Sequence, residues 1–448
     1  MNGVDLHLEV RGPRVLAGLT EALREAVRTG RLAPGSKLPS SRTLATDLGL
    51  ARNTVVAAYG SLIDEGWLTA RPGAGTVVAR RTPPPTTPRP LPAQEVQPLH
   101  DLRPGRPDTS SFPRADWSRA TRRALEQAPH EVFTYSSPFG RIELRRALAD
   151  YLARARGVYA DPSRILVCSG ASHGLSLLAT ALRARQVHRI AVESYGMPML
   201  RDRFTAAGLR TVAVPVDADG ARIGRLPGVG ALLLTPAHQF PTGAPLHPAR
   251  RAAVVDWARQ TGGMIVEDDY DGEFRYDRKP VGALQGLSPE HVVYLGTASK
   301  TVAPGLRLGW MVLPDALADD VARALGGVSQ TSALDQLVLA ELLDSGAYDR
   351  HVRAMRAQYR QRRDDLTSAL PGRVHGISAG LHALVELPRG TENAVLREAA
   401  AQKLALLGLD WFRHPATEPE RDAVVVGFAT PSRSGWPAAL AALTRVLA

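Results

Sequence analysis

The sequence predicts an α/β protein in two unequal parts: a small helical domain closed by a β-hairpin, then a large domain built on a mainly parallel sheet. Three observations predict it. Helical periodicity runs to about residue 65 and gives way to two strand-like runs around a glycine turn. Residues 82–98 hold seven prolines in seventeen positions and almost nothing to bury. From about residue 100, short apolar runs alternate with helical segments, the pattern of parallel strands covered on both faces.

Composition bounds the function. With 448 residues the chain is long enough for two or three domains and a large core. Its formal net charge of +11 makes an anionic partner reasonable without demanding one. A single cysteine, Cys168, forbids an internal disulfide and is compatible with the cytoplasm. No apolar stretch has the length of a membrane span and no secretory leader is seen, so a cytoplasmic protein without membrane contact is expected.

In the first part, residues 1–80, helices fit about 13–29, 40–48 and 52–65. Ser40 reads as an N-cap and Gly49 as a stop, while Leu44, Leu48, Val55, Val56, Tyr59, Leu62 and Ile63 supply the apolar faces of two crossing helices. The third helix carries Arg52, Asn53 and Thr54 at its start, where a recognition helix meets phosphates and base edges in the major groove. A hairpin with its tip at Pro72–Gly75 makes a wing, completing a winged helix-turn-helix. Its net charge is only +3, from nine Arg and one Lys against seven acids, so DNA affinity must come from placement. Residues 81–100 form a Pro-rich linker, which at about 3.1 Å per residue is a semi-rigid spacer of up to roughly 50 Å.

The stretches LPSSRTLATDLGLARNTVVAAY (38–59) and EGWLTARPGAGTVV (65–78) resemble the GntR-type DNA-binding domain over its whole length. The resemblance implies double-stranded operator DNA as a partner. It also implies that Arg42, Arg52 and Thr54 touch phosphates or bases, and that Gly73 and Gly75 let the wing approach the backbone. Taken singly, each Arg could equally be a solvated helix end.

In residues 101–448, strand-like runs at Ile165–Cys168, Ile190–Val192, Ala231–Leu234, Met264–Val266, Val292–Leu295 and Trp310–Leu313 each end near polar groups. Such groups collect at strand ends in α/β folds. SGASHG (169–174) opens a helix whose free N–H groups suit a phosphate. EDDYDGEFRY (267–276) is an acidic cluster following a buried strand, where acids need a cationic partner. Lys300 ends another strand, a place where a cation must be paired, neutralised or covalently consumed.

Pyridoxal 5'-phosphate answers these needs together. Its aldehyde takes the amine of Lys300, its pyridinium the carboxylate of Asp268, its phenolic oxygen a donor from Tyr270. Its phosphate takes Ala171 and Ser172 at the helix start, with Arg307 and Thr297. A surface lysine and a structural Asp268–Arg307 ion pair are the plainer readings of the same residues.

DLRPGRPD (101–108), TPAHQFPTG (235–243), the acidic cluster and YLGTASKTVAPGLRLGW (294–310) make this region similar to a PLP-dependent fold type I aminotransferase domain. It is closest to the MocR/GabR-type regulators. That resemblance implies a large α/β domain with a smaller C-terminal α/β subdomain. It implies a homodimer in which Tyr135, from YSSPFG (135–140), reaches the phosphate in the partner subunit, although a packing aromatic fits Tyr135 as well. Three departures matter. Phe240 stands where free-standing aminotransferases have Asn, Met197 and Tyr195 share the place of a ring-stacking Tyr, and Val425 replaces the Arg that grips a substrate carboxylate. Arg413, His414 and Arg421 are the candidates to compensate. The expectation is a transcriptional regulator, without catalytic residues or a metal, that senses an amine or amino-acid-like effector or pyridoxal phosphate itself. The alternatives are a working aminotransferase with a DNA-binding appendage, and a first domain that serves dimer contacts only.

Overall fold

The structure is a computed structural model describing residues 14–71, 75–80, 98–224, 226, 228–276 and 281–448. The chain divides into two compact units, Met1–Glu95 and Val96–Ala448. The proline-rich residues 82–97 and the wing-tip residue Gly73 lie outside the described residues.

In the first unit, α1 (Val15–Arg28), α2 (Ser41–Leu48) and α3 (Arg52–Asp64) precede a hairpin of β1 (Leu68–Arg71) and β2 (Gly75–Val78), paired antiparallel. The Ser40 hydroxyl accepts the Thr43 N–H at 3.1 Å, and Gly49 ends α2 in the left-handed region with φ 64°. Leu19, Leu23 and Ala26 of α1 meet Leu44, Val55, Ala58, Leu62, Leu68 and Val78 in one core. Each fully buried Leu or Val there contributes about 1.5–3 kcal/mol. Tyr59 joins them and donates its hydroxyl to Pro39 O at 3.0 Å, tying α3 to the entry of α2. Arg24 of α1 reaches Glu65 at 2.8 Å, and Trp67 Nε1 donates to the same carboxylate at 3.1 Å, which fixes the turn into β1. Val56 corrects the expected core: it is 49% exposed, because it lies about 100° round the helix from the inward Val55.

In the second unit, seven strands form one sheet: β3 (Ile165–Cys168), β4 (Arg189–Glu193), β5 (Arg210–Val214), β6 (Ala231–Leu234), β7 (Met264–Asp268), β8 (Val292–Thr297) and β9 (Gly309–Val312). Their order is β3-β9-β8-β7-β6-β4-β5, and only β9 runs antiparallel to its neighbours. The carboxyl ends of the other strands therefore share one edge. Gly309, at the start of β9, pairs with both Cys168 and Thr297, which brings Arg307 to that same edge from the opposite chain direction. β5 is an addition to the expected strands. It is a half-buried edge strand opening on an exposed Arg210, and its apolar signal is correspondingly weak.

A smaller antiparallel sheet follows: β10 (Val374–His375), β11 (Ala383–Glu386), β12 (Leu407–Gly408) and β13 (Ala423–Val426), in the order β10-β11-β13-β12. It packs on the helices Ala347–Ala369 and Trp436–Leu447. Buried Arg362 joins this subdomain to the segment before the large sheet, binding Asp108 at 2.9 Å and the carbonyl of Pro431 at 2.8 Å. Among the described residues no helix is long and apolar enough to cross a membrane.

Candidate functional site

One cavity opens along the carboxyl edge of the large sheet. Lys300, Asp268, Tyr270, Arg307, Ala171, Ser172 and Thr297 all line it, so seven of the eight expected cofactor contacts come together. Tyr135, 87% exposed, is not among its lining residues.

Each side chain has a local reason for its place. Lys300 follows β8, and its half-buried ammonium donates to Gly105 O at 2.6 Å. Burial pulls its pKa below the ordinary amine value, against the opposing pull of Asp268 and Asp271. Asp268 ends β7 and is buried. Burial pushes its carboxyl up to about 7, with Lys300 acting the other way. Thr297 Oγ1 accepts the Ser299 N–H at 3.1 Å, shaping the turn into Lys300.

Helix α4 (Ala171–Ala184) starts at the cavity with no side-chain cap and no acid in its first turn. Its leading N–H groups and dipole suit an anion. Arg307 donates to Ser169 O at 2.7 Å and stands over Gly170, where a Cβ would meet the guanidinium at 3.5 Å. Gly170 also has φ 82°, which side chains disfavour.

The ring of Tyr270 lines the cavity, and its hydroxyl donates to His238 O at 3.0 Å. His238 Nδ1 lies 2.8 Å from Asp271. Phe240 sits edge-on to Tyr270 and Phe412, so it closes the cavity with aromatic packing.

Glu193 and Gly105 line the cavity without having been singled out as contacts. Gly105 lies in the quoted DLRPGRPD motif, the one signal that could have found it. Glu193 is buried and accepts from Thr235 Oγ1 at 2.6 Å and Gln239 Nε2 at 3.2 Å, yet burial still lifts its carboxyl to about 7. Both Tyr195 and Met197 line the cavity, where one ring-stacking residue is usual in the resemblance.

The acidic cluster sorts itself by partner. Glu267 accepts the N–H groups of Leu284 and Gln285 at 2.8 and 3.0 Å, Asp269 holds Arg156 at 2.6 Å, and Asp271 holds His238. Asp268 Oδ1 is buried with no hydrogen-bond partner among the described residues. Such an acceptor is costly unless something binds it. A protonated pyridine nitrogen beside a primary amine and an anion site fits this donor set.

The raised carboxyl of Asp268 carries a pH dependence. Its folded value of about 7 exceeds the ordinary 3.8. The associated stability is therefore full below about pH 4 and is lost as pH rises through 7, by up to roughly 4 kcal/mol. Cofactor-free Asp268→Asn should be more thermostable than wild type at pH 8 and little changed at pH 4.5. Thermal denaturation at the two pH values checks this, and equal differences at both would count against it.

Residues 102–410 match the aminotransferase class I and II family, and residues 17–78 match bacterial regulatory proteins of the gntR family. The pyridoxine biosynthesis transcriptional regulator PdxR of Corynebacterium glutamicum is 38% identical over 380 residues, 82% of each chain. The probable rhizopine catabolism regulatory protein MocR of Rhizobium meliloti is 31% identical, over 85% of this chain and 83% of that one. The chain belongs to the MocR/GabR-type transcriptional regulators. The body of this MocR/GabR-type chain has the aminotransferase fold. The α-aminoadipate aminotransferase of Thermus thermophilus, solved with N-(5'-phosphopyridoxyl)-L-leucine, superimposes with a TM-score of 0.68 at 24% identity, over 78% of this chain and 92% of that one.

On the DNA-reading side of the regulator, Arg42, Arg52 and Asn53 are exposed and Thr54 is half-buried. Helix α3 begins without a side-chain cap or an acid in its first turn, so its start is open to phosphate. Gly75 has φ 85°, and a Cβ there would lie 3.2 Å from Lys37 Cε. Exposed Val56 offers the same helix an apolar contact of the kind thymine methyls take.

Proposed function

We propose that this regulator works as a cytoplasmic homodimer that binds operator DNA through its winged helices and holds pyridoxal phosphate in the cavity at Lys300. An amine or amino-acid-like effector, or the cofactor itself, is then sensed there. The observation that carries the reading is the unpartnered buried oxygen of Asp268 in the same cavity as the amine of Lys300. When bound, pyridoxal phosphate supplies an aldehyde that captures primary amines and a ring that withdraws their electrons. The chain supplies the rest. Lys300 presents an amine whose pKa burial lowers, Asp268 provides the counter-charge, and Arg307 with the start of α4 holds an anion. Val425 is buried in β13 between Leu384 and Leu407 and offers no grip on a carboxylate, which favours sensing over turnover.

Fluorescence anisotropy tests this, using a duplex that the full-length protein selects from a random pool, at fixed salt. Adding pyridoxal phosphate or amines should shift its affinity by 5–150-fold, the usual range of about 1–3 kcal/mol of coupling. No shift with any of them removes the sensor. Arg52→Ala should weaken DNA binding by about 1–3 kcal/mol in the same assay. Unchanged binding would mean that the first domain serves dimer contacts. Cyclic exchange of amino groups between amino and keto acids at a useful rate would favour an aminotransferase.

A further inference from the structure

The cavity contains a cation that the cofactor reading leaves unused. Arg201, in the helix Pro198–Ala206, lines it together with Lys300 and Asp268. The guanidinium is half-buried, and burial lowers its pKa against a weaker opposite pull from Asp202. Among the described residues it makes no ion pair with a carboxylate. Its hydrogen bond is a long one, 3.4 Å to Arg413 O. A guanidinium has five donors in a fixed fork, so most of its capacity is unspent in a partly desolvated place.

The residues expected to compensate for Val425 stand elsewhere. Arg413, His414 and Arg421 do not line the cavity. Arg413 is bound to Asp410, and His414 Nε2 is 3.0 Å from Thr211 Oγ1. Apolar Met197, Met199, Leu200 and Leu233 line the same cavity as Arg201. An anion entering there loses water and gains a strong bidentate partner.

We propose that Arg201 anchors the anionic end of the effector, so that the sensed molecule carries a carboxylate as well as an amino group. The inference rests on the reading of the cavity as a pyridoxal phosphate site that senses amines. It moves the carboxylate grip from the position of Val425 on β13 to the helix after β4.

The test uses full-length protein loaded with pyridoxal phosphate and its visible spectrum. β-Alanine is titrated against ethylamine, and L-leucine against isopentylamine, pairs that differ in a carboxylate. Wild type should respond to at least one acid at a concentration at least tenfold lower than to its amine. Arg201→Gln should keep the band and lose that preference, and Arg201→Lys should regain part of it. A preference retained in Arg201→Gln, or absent from wild type in both pairs, overturns the proposal. Loss of the band in Arg201→Gln also overturns it, by placing Arg201 in the cofactor site. Absence of a band in wild type instead removes the cofactor reading itself.

Discussion

Lys300→Ala should abolish the visible absorption band of the pyridoxal phosphate-loaded protein and weaken retention of the cofactor by a hundredfold or more, about 2.7 kcal/mol. The expectation follows from what the variant leaves in place. Arg307, Gly170 and the start of α4 are untouched, as is the carboxylate of Asp268, so the anion site and the counter-charge persist. What disappears is the amine, held at 2.6 Å from Gly105 O in a cavity whose burial lowers its pKa. The fold should survive, because Lys300 is half-buried and its one hydrogen bond goes to a carbonyl. Lys300→Arg keeps a cation and lacks a primary amine, and it should lose the band equally. A band of wild-type position and intensity in both variants would assign the chemistry to another amine. Thermal denaturation of the same samples separates a lost amine from a lost fold.

The parts of this protein that were legible in the sequence are those whose signal is local. Ser40, Gly49 and the period of α3 specify their turns within a few residues. Lys300, Asp268 and Ser172 could be grouped because each follows an apolar strand, and strand ends of one direction share an edge. Arg307 was harder: it reaches that edge only because β9 runs backwards, which no local pattern records. Other contributions depend wholly on tertiary approach. Gly105 is 195 residues from the lysine it accepts, and Glu193 meets its partners 42 and 46 residues on. Arg201 looks in sequence like any basic residue on a helix. The contact of the Tyr270 hydroxyl with His238 O, 32 residues away in sequence, is another that no local pattern records. The acidic cluster was read as a demand for one cation. In the fold, four of its five acids have protein partners, Glu273 accepting from the Tyr151 hydroxyl at 3.2 Å, and Asp268 Oδ1 is left over, which narrows the demand to Asp268.

Arg156→Ala should cost about 3–5 kcal/mol of stability, because it strands a buried carboxylate. Asp269 accepts Arg156 Nε at 2.6 Å and a second guanidinium nitrogen at 3.0 Å, and Tyr294 donates to it at 2.8 Å. Both partners of the pair are buried, so water cannot replace the lost cation. Gly272 belongs to the same lock: a Cβ there would fall 2.6 Å from the guanidinium. Urea denaturation should show the loss as a lower midpoint with an unchanged slope. The double variant Arg156→Met with Asp269→Leu should recover much of it, since the penalty lies in the unpaired charge rather than in the absent bond. If Arg156→Ala and the double variant are equally unstable, packing around the guanidinium outweighs its charge. The pair also bears on the site, for Asp269 directly follows Asp268 and precedes Tyr270. Saturating pyridoxal phosphate stabilises whatever folded form binds it, by an amount set by concentration over dissociation constant. An equal increment in wild type and Arg156→Ala would show that the strand end holding Asp268 keeps its shape without the lock. A smaller increment would show that the buried ion pair positions the counter-charge of the cofactor.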